Sequence, residues 1–174
     1  MRSLLILVAL ATLTTPGCKK RDRIRVGQTE EGAVGPASVV HVADTRTEKQ
    51  LLAGFHSVEQ NSWRWTEGRF SVALKPPAGA AQRGAVLEMR FSVSEPVIKK
   101  LQTMSLTAKV NGTPLPPETY TQPGEMVFAR DLEPALLARD TVKVDFELDR
   151  FAKAGEFDSR ELGLIVASIG LEAK

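Results

Sequence analysis

The chain has few of the residues from which catalytic and metal centres are usually built. Its 174 residues include a single cysteine, Cys18, and two histidines, His41 and His56, which stand apart in the sequence. One cysteine excludes an internal disulfide and cannot by itself hold a metal. The sequence also lacks the motifs of P-loop, zincin, serine-hydrolase and dinucleotide-binding sites. We therefore predict a protein that is not an enzyme and that carries no metal or cofactor.

An excess of charge of one sign is also missing. The chain has 23 Lys and Arg residues against 21 Asp and Glu, a formal net charge of +2. This near-balance argues against a general nucleic-acid-binding protein. Basic residues do cluster in the run "KKRDRIR", residues 19–25. That run either contacts anionic lipid head groups or is a solvated segment of the chain.

Long apolar runs are absent except at the N-terminus. There Arg2 precedes an apolar stretch over residues 4–13, which is too short to span a bilayer, and Cys18 follows soon after. A basic residue, a short apolar stretch and a small residue before the cleavage point are typical of a secretory signal peptide. We therefore predict export, with a signal peptide over residues 1–17.

This N-terminus resembles the signal of bacterial lipoproteins, whose first mature residue is a lipidated cysteine. Gly17 matches the position before that cysteine, whereas Thr15 and Pro16 depart from the usual residues. The resemblance implies acylation of Cys18 with chains such as palmitate, and anchoring to a membrane. Lys19 is not the Asp that retains such lipoproteins in the inner membrane, so the outer membrane of the cell envelope, on its periplasmic or surface face, is the expected location. A secreted protein with an incidental cysteine is the alternative.

The rest of the chain divides into a tether and one domain. Residues 18–37 are polar, with Gly, Pro and Glu, and lack the apolar density needed to fold. Residues 38–174 contain segments in which apolar and polar positions alternate, as is typical of half-buried antiparallel strands. The clearest of these strands are residues 70–74, 87–93, 104–110 and 142–149.

The turns and remaining segments complete an all-β fold. Asn111 and Gly112 predict a hairpin turn, because both residue types tolerate positive φ. The segment "DLEPALLARD" predicts one short helix near residues 132–139, with Pro134 in its first turn. The segment "ELGLIVASIGL" near the C-terminus is apolar on both faces and predicts a central strand. We predict an antiparallel β-sandwich of jelly-roll topology with eight or nine strands.

Two stretches with a characteristic order and spacing carry a second resemblance. They are "GFHSVEQNSWRWTEGRFSVAL", residues 54–74, and "FDSRELGLIVASIGL", residues 157–171, with the "VNGTPL" hairpin between them. Together they resemble a jelly-roll domain that is appended to bacterial glycosyltransferases and is also found alone in envelope proteins. The resemblance covers about residues 50–172 and implies a carbohydrate-binding-like accessory fold without a catalytic centre of its own.

Both tryptophans of the chain lie in the first of these stretches. On a strand, Trp63 and Trp65 share one face and Arg64 points to the other. In a structural interpretation, Trp65 continues toward Phe70 and Val72 and caps the core, Trp63 lies at the rim, and Arg64 pairs with an acid. We expect Trp65 to be buried and Trp63 to be partly exposed.

A functional interpretation of the same segment stays open. Trp63, with Phe55 or His56, would form a platform on which a sugar ring stacks, while nearby Arg, Asn and Glu side chains fix its hydroxyls. If the first and last strands are neighbours, Glu59 and Arg64 come near residues 158–161. That charged cluster would be a clamp between loops, a polar rim beside the platform, or a catalytic carboxylate pair formed by Glu59 with Asp158 or Glu161.

The sequence therefore favours a non-catalytic lipoprotein of the cell envelope whose β-sandwich binds an envelope glycan. The alternative is a protein-interaction or structural module that docks an envelope protein through a sheet face or an exposed edge strand. Besides lipidated Cys18, the candidate ligand-binding residues are Trp63, Phe55, His56, Glu59, Arg64 and Arg160.

Overall fold

The computed structural model describes residues 35–174, so the predictions for the signal peptide, for Cys18 and for most of the tether lie outside the described residues. Within the described range the chain forms mainly strands, with two short α-helices and two 3₁₀ helices. The α-helices are α1 (Ala80–Arg83) and α2 (Glu95–Leu101), and the 3₁₀ helices are Thr45–Gln50 and Pro134–Leu137. The strands are β1 (Val39–His41), β2 (Leu51–Glu59), β3 (Trp63–Leu74), β4 (Ala85–Val93), β5 (Met104–Val110), β6 (Thr113–Pro114), β7 (Glu118–Tyr120), β8 (Gly124–Leu132), β9 (Val142–Leu148) and β10 (Ile165–Ala173).

Strand β3 connects two antiparallel layers because its two halves have different neighbours. Its first half pairs with β10, and its second half, residues 69–74, pairs with β9. Strand β2 lies along the opposite side of β3. One layer, called sheet A, continues from β10 to β4 and β8, with β1 also on β10. The other, called sheet B, continues from β9 to β5, which carries β6 and β7.

Aromatic contacts join the two layers across the core. Phe146 of β9 stacks on Phe70 of β3, with ring centroids 4.9 Å apart. It also meets the edge of Phe128 from β8, at 6.2 Å, although these strands lie at distant positions in the sheet order. Phe91 of β4 and Tyr120 of β7 make a similar contact at 5.3 Å. The sheet is therefore curled so that sheets A and B face each other, and the prediction of an antiparallel β-sandwich is confirmed.

The period-two patterns place their apolar residues in this core. Alternate residues of β4, β5 and β9 are buried, and the residues between them are half-buried or exposed. Asn111 and Gly112 form the predicted turn with φ of 49° and 88°. The C-terminal segment forms the predicted central strand, since β10 lies between β4 on one side and β1 and β3 on the other.

Two helix assignments differ from the sequence analysis. The helix expected near residues 132–139 is only a 3₁₀ turn at Pro134–Leu137, because β8 continues to Leu132 and takes the first of those residues. Helix α2 was not predicted, although Ser94 precedes it and Pro lies in its first turn. Its Glu95 and Lys99 form an ion pair of 2.6 Å one turn apart. Seven residues between two strong strands give too short a pattern for the 3.6-residue period to stand out.

The buried side chain of Gln50 fastens the start of the domain. Its Oε1 accepts from the Ala37 N–H at 2.8 Å, and its Nε2 donates to the carbonyls of Ala37 and Ala73 at 3.0 and 2.6 Å. The Lys75 N–H donates to the same Ala37 carbonyl at 3.1 Å. Ala37 is therefore held on its N–H by Gln50 and on its C=O by both Gln50 and Lys75, the residue after β3.

Replacing Gln50 by leucine should destabilise the domain while keeping the side-chain volume. The Ala37 N–H and the Ala73 carbonyl would lose their Gln50 partner, and a buried backbone group left unpaired costs about 1–3 kcal/mol. Urea unfolding should therefore give a lower midpoint for Gln50→Leu. Gln82→Leu, on the exposed side of α1, is the matched control and should leave the midpoint nearly unchanged. Equal midpoints for the two variants would contradict the assigned role.

Candidate functional site

At the start of β3, the inward and outward faces are the reverse of those expected from the sequence. Arg64, Thr66 and Phe70 point inward and are buried, whereas Trp63 and Trp65 point outward and are only half-buried. The expectation for Trp63 is confirmed. The expectation that Trp65 is buried is wrong, since its side chain is only half-buried. The interpretation that it continues the face of Phe70 is also wrong, because residues an odd number apart on a strand lie on opposite faces. Trp65 instead packs against the rim of the core from outside.

A groove runs along the outer face of sheet A beside Trp63. Cross-strand register aligns Trp65, Ile165, Ser92 and Glu125 in one row across four strands. A second row contains Arg90 next to Val127, at the level of Trp63. Between these rows lies an open volume of about 520 Å³. Its outward-facing lining residues are Ser62, Trp63, Arg90, Ser92, Glu125, Val127, Ile165 and Ala167.

The two indole rings play different parts at this groove. Their centroids lie 6.3 Å apart and their planes cross at 85°, an edge-to-face arrangement. A ligand stacked on one ring therefore meets the other at most edge-on. Trp63 lines the groove, whereas Trp65 is in contact with the core. Trp63 is thus the available aromatic surface, and Trp65 supports it from the side.

Polar groups of both signs line the same groove as Trp63. Arg90 pairs with Glu88 on its own strand at 2.7 Å, and its side chain remains 63% exposed. Glu125 is exposed, and Ser62 and Ser92 contribute hydroxyls to the same groove. The groove therefore offers an aromatic face, hydrogen-bond donors and hydrogen-bond acceptors without a strong net charge. This combination suits a neutral ligand that has both an apolar face and several hydroxyl groups.

A cluster of charged residues borders Trp63 on its other side. The β2–β3 ladder pairs Glu59 with Trp63, and paired residues share a face of the sheet. Arg160 binds Glu59 and Asp158 at once, with both N–O distances 2.9 Å. The sequence predicted that Glu59 and Arg64 come near residues 158–161, and of these residues Glu59, Asp158 and Arg160 do meet. They join β2 to the loop before β10.

The electrostatics of this cluster favour permanent charge. Hydrogen bonds from Arg160 hold the pKa of Asp158 well below its usual range, and Asp158 and Glu59 in turn raise the pKa of Arg160. A carboxyl whose pKa is lowered in the folded state stabilises the fold above its unfolded pKa. That contribution to stability disappears only as the pH falls through the lowered pKa of the folded state. Asp158 therefore stays ionised in any ordinary buffer and has no proton to donate.

The other candidate residues face away from the groove. Arg64 is 8% exposed; it donates to the carbonyls of Val42 and His56 at 2.7 and 3.1 Å and pairs with Glu48 at 2.8 Å. The expectation that it pairs with an acid is confirmed, but Arg64 does not join the Arg160 cluster. Phe55 packs edge-on against Phe70 at 5.5 Å. His56 itself is bound through Nε2 to the Glu161 carbonyl at 2.7 Å.

Apart from Trp63, the residues that line the groove were not singled out from the sequence. Arg90 and Ser92 are outward positions of β4, and Glu125 and Val127 are outward positions of β8. Their alternation with buried residues indicates exposure. No local pattern, however, indicates that β10, β4 and β8 follow the start of β3 in the sheet order, because these pairings link distant parts of the chain.

Other surface depressions are lined by charges that neutralise one another or by acids. On the outer face of sheet B, a volume of about 280 Å³ contains the Arg69–Glu147 and Lys143–Asp145 ion pairs. Across residues 35–174, no group of His, Cys, Asp and Glu side chains is arranged to hold a metal ion. No helix in the same range is both long and apolar enough to cross a bilayer.

The fold and this groove define an antiparallel β-sandwich with one exposed tryptophan face on its surface. No family model matches the sequence, and no curated protein matches it. Solved structures with partial similarity include a family 35 carbohydrate-binding module from an environmental isolate, at 15% identity over 83% of this chain and 90% of that one, with a TM-score of 0.38.

Two larger proteins are similar over part of their length. One is the acetyl xylan esterase Est2A from Butyrivibrio proteoclasticus, at 10% identity and a TM-score of 0.44, where the match covers 76% of this chain and 31% of the esterase. The other contains the CBM51-2 and INT domains of Clostridium perfringens ZmpB, in complex with GlcNAc. It is 10% identical, the match covers 79% of this chain and 28% of that one, and the TM-score is 0.36. The chain thus spans about a third of these proteins.

Proposed function

We propose that this protein is a non-catalytic glycan-binding module whose ligand stacks on Trp63. The observation that carries the proposal is the half-exposed indole in a groove that also presents Arg90, Ser92 and Glu125. The C–H face of a pyranose is flat and apolar, so it packs on an indole, while its equatorial hydroxyls reach polar groups at the sides. The groove supplies both kinds of contact within one volume of about 520 Å³.

The geometry also limits the form of the glycan. Because Trp65 stands edge-on to Trp63, the two rings do not form a coplanar strip. A flat crystalline polysaccharide needs coplanar aromatic rings, whereas one sugar unit of a soluble chain needs a single ring. Affinity electrophoresis through gels containing soluble envelope polysaccharides should retard the protein. The absence of retardation in every gel would count against the proposal.

The lack of a catalytic role is part of the same proposal. The carboxylate pair that could have served a glycosidase, Glu59 with Asp158, is bridged by Arg160 on the protein surface. A glycosidase needs one carboxyl with a raised pKa as the proton donor. The pKa of Asp158 is lowered instead. Glu161 lines a separate depression with Glu67 and Arg69, and it is its backbone carbonyl, not its carboxylate, that binds His56.

Anchoring through Cys18 to the outer membrane of the cell envelope completes the proposal. The N-terminal residues support this part of the proposal: Arg2, a short apolar stretch over residues 4–13 and Gly17 precede the single cysteine.

Metabolic labelling with a palmitate analogue tests the anchor. The wild-type chain should incorporate the label, and Cys18→Ser should not, because the thiol is the only site for a thioether-linked lipid. Membrane pelleting should show the same difference between the two forms. Equal labelling would refute the anchor while leaving the glycan proposal intact.

A further inference from the structure

Four outward-facing residues of β4 and β8 form a compact group in the groove that Trp63 lines. Arg90 lies directly opposite Val127, and Ser92 lies directly opposite Glu125. The Cβ atoms of residues paired in this way are about 5 Å apart, and residues two apart on one strand are about 7 Å apart. These four residues, called the β4–β8 quartet, all line the same volume of about 520 Å³.

The quartet offers one unused carboxylate and one guanidinium whose charge is balanced. From residues 35–174, no ion pair reaches the Glu125 carboxylate, and its side chain is exposed. Arg90 is paired with Glu88 through one Nη at 2.7 Å, yet its side chain stays 63% exposed. A guanidinium carries five N–H donors, so Arg90 keeps donors for a neutral carbonyl. The quartet therefore presents an acceptor and a donor, without a free positive charge that would select an acidic sugar.

The apolar member of the quartet stands beside the acceptor. Val127 is 45% exposed, and it lies two residues from Glu125 on the same face of β8. Arg90 lies on the neighbouring strand. The acceptor and the apolar contact are therefore side by side along β8, and the donor faces them from β4. A sugar hydroxyl cannot use all three groups, because it has no apolar part.

An acetamido group has the matching arrangement. Its amide unit is planar and trans, so the N–H and the methyl group lie along one edge and the carbonyl oxygen lies on the other. The N–H donates to Glu125 while the methyl group packs on Val127, both on β8. The carbonyl oxygen then points toward β4, where it accepts from Arg90. One acetamido group therefore uses the acceptor, the apolar contact and the donor together.

The floor of the groove connects Trp63 with the quartet. Strand β10 lies between β3 and β4, and its residue Ala167 in the groove lining is small and exposed. The pairing of β10 with β4 shifts register here, between Val166 and Ser168, as at a β-bulge. Two strand spacings, about 10 Å, separate β3 from β4. An oligosaccharide that stacks one unit on Trp63 therefore places a neighbouring unit on the quartet.

We propose that the β4–β8 quartet selects N-acetylated amino sugars, by binding the acetamido group of a neutral oligosaccharide that stacks a neighbouring unit on Trp63. This inference rests on the proposed glycan-binding function and specifies its ligand class. A sugar with a hydroxyl in place of the acetamido group leaves Val127 without an apolar partner. A free ammonium group pairs with Glu125, but it has neither a carbonyl for Arg90 nor a methyl group for Val127.

Three trisaccharides that differ only at the C2 substituent test this selection. Cellotriose carries hydroxyl groups there, the glucosamine trimer carries ammonium groups, and triacetylchitotriose carries acetamido groups on the same backbone. Isothermal titration calorimetry uses the full chain with Cys18→Ser, which cannot be acylated. The Kd for triacetylchitotriose should be at least tenfold below the Kd for either of the others. Equal or tighter binding of cellotriose or of the glucosamine trimer would overturn the proposal, as would no binding of triacetylchitotriose at millimolar concentration.

These outcomes are distinct from a failure of the proposed function. If soluble envelope polysaccharides still retard the protein in gels, glycan binding stands and only the selection of acetamido groups is lost. If no gel retards the protein, the glycan-binding function itself is lost.

Substitution of Glu125 tests the same contact from the side of the protein. Glu125→Ala removes the acceptor for the acetamido N–H and should weaken the binding of triacetylchitotriose at least tenfold. Its thermal midpoint should not change, because Glu125 is exposed. Glu172→Ala is the matched control, since Glu172 is an exposed acid of β10 outside the groove lining, and it should bind as the wild type does. If Trp63→Ala lost binding while Glu125→Ala kept it, the stacking site would stand and the acetamido assignment would be overturned.

Discussion

Trp63→Ala is expected to abolish glycan binding while lowering the thermal midpoint only slightly. Trp63 is half-exposed and lies outside the core cluster, so its removal takes away the stacking surface but leaves little buried space. Affinity electrophoresis against the retarding polysaccharide measures the first effect, and thermal unfolding measures the second.

Trp65→Ala is the matched control, because it removes the same side chain two residues along the strand. Trp65 packs against the core, so this variant should lower the midpoint more than Trp63→Ala does. Full truncation of a buried Trp costs about 3–5 kcal/mol, and a half-buried one should cost less. If Trp63→Ala retained full affinity at an unchanged midpoint, the indole would have no part in binding. A large fall in its midpoint would make Trp63 a structural plug.

Arg64→Met should be the most destabilising of the charge-removing substitutions. Arg64 is 8% exposed and joins three segments, through the Val42 carbonyl, the His56 carbonyl and the Glu48 carboxylate. Methionine fills much of the space but leaves two partly buried carbonyls without this donor. We expect a loss of about 2–4 kcal/mol in the free energy of unfolding, measured by urea denaturation.

Arg69→Met provides the comparison on the same strand. Arg69 also makes one ion pair, with Glu147 at 2.6 Å, but its side chain is 81% exposed on the opposite face of β3. An exposed pair contributes no more than about 1 kcal/mol. Arg69→Met should therefore unfold close to the wild-type midpoint. Similar losses for the two variants would mean that burial and the carbonyl contacts of Arg64 contribute little.

Period-two alternation was sufficient to assign the strands in which every inward residue is apolar. Strands β4, β5 and β9 have this property, and their inner faces were identified correctly. The alternation failed at the start of β3, where the inward positions are Arg64, Thr66 and Gly68. Polar residues on the inside and tryptophans on the outside invert the usual pattern, so the local sequence suggests the opposite faces.

Only the tertiary structure explains why that inversion is stable. Arg64 is buried because hydrogen-bond acceptors from three other segments converge on it, and Thr66 is buried because its Oγ1 accepts from the Leu164 N–H at 3.0 Å. Gly68 is required because the ring of Phe151 occupies the space that a Cβ would take. None of these partners is adjacent in sequence, and no local periodicity reports them.

The sequence by itself determined the all-β class, the Asn111–Gly112 turn and the central position of β10, because strand alternation, turn chemistry and apolarity are local properties. Tertiary structure decided which side chains meet. It placed Arg90 and Val127 in one groove with Trp63, joined Glu59 to Arg160, and put β8 at the end of the strand order of sheet A. These features depend on the order of strands in the sheet, and that order follows from the packing of the whole core.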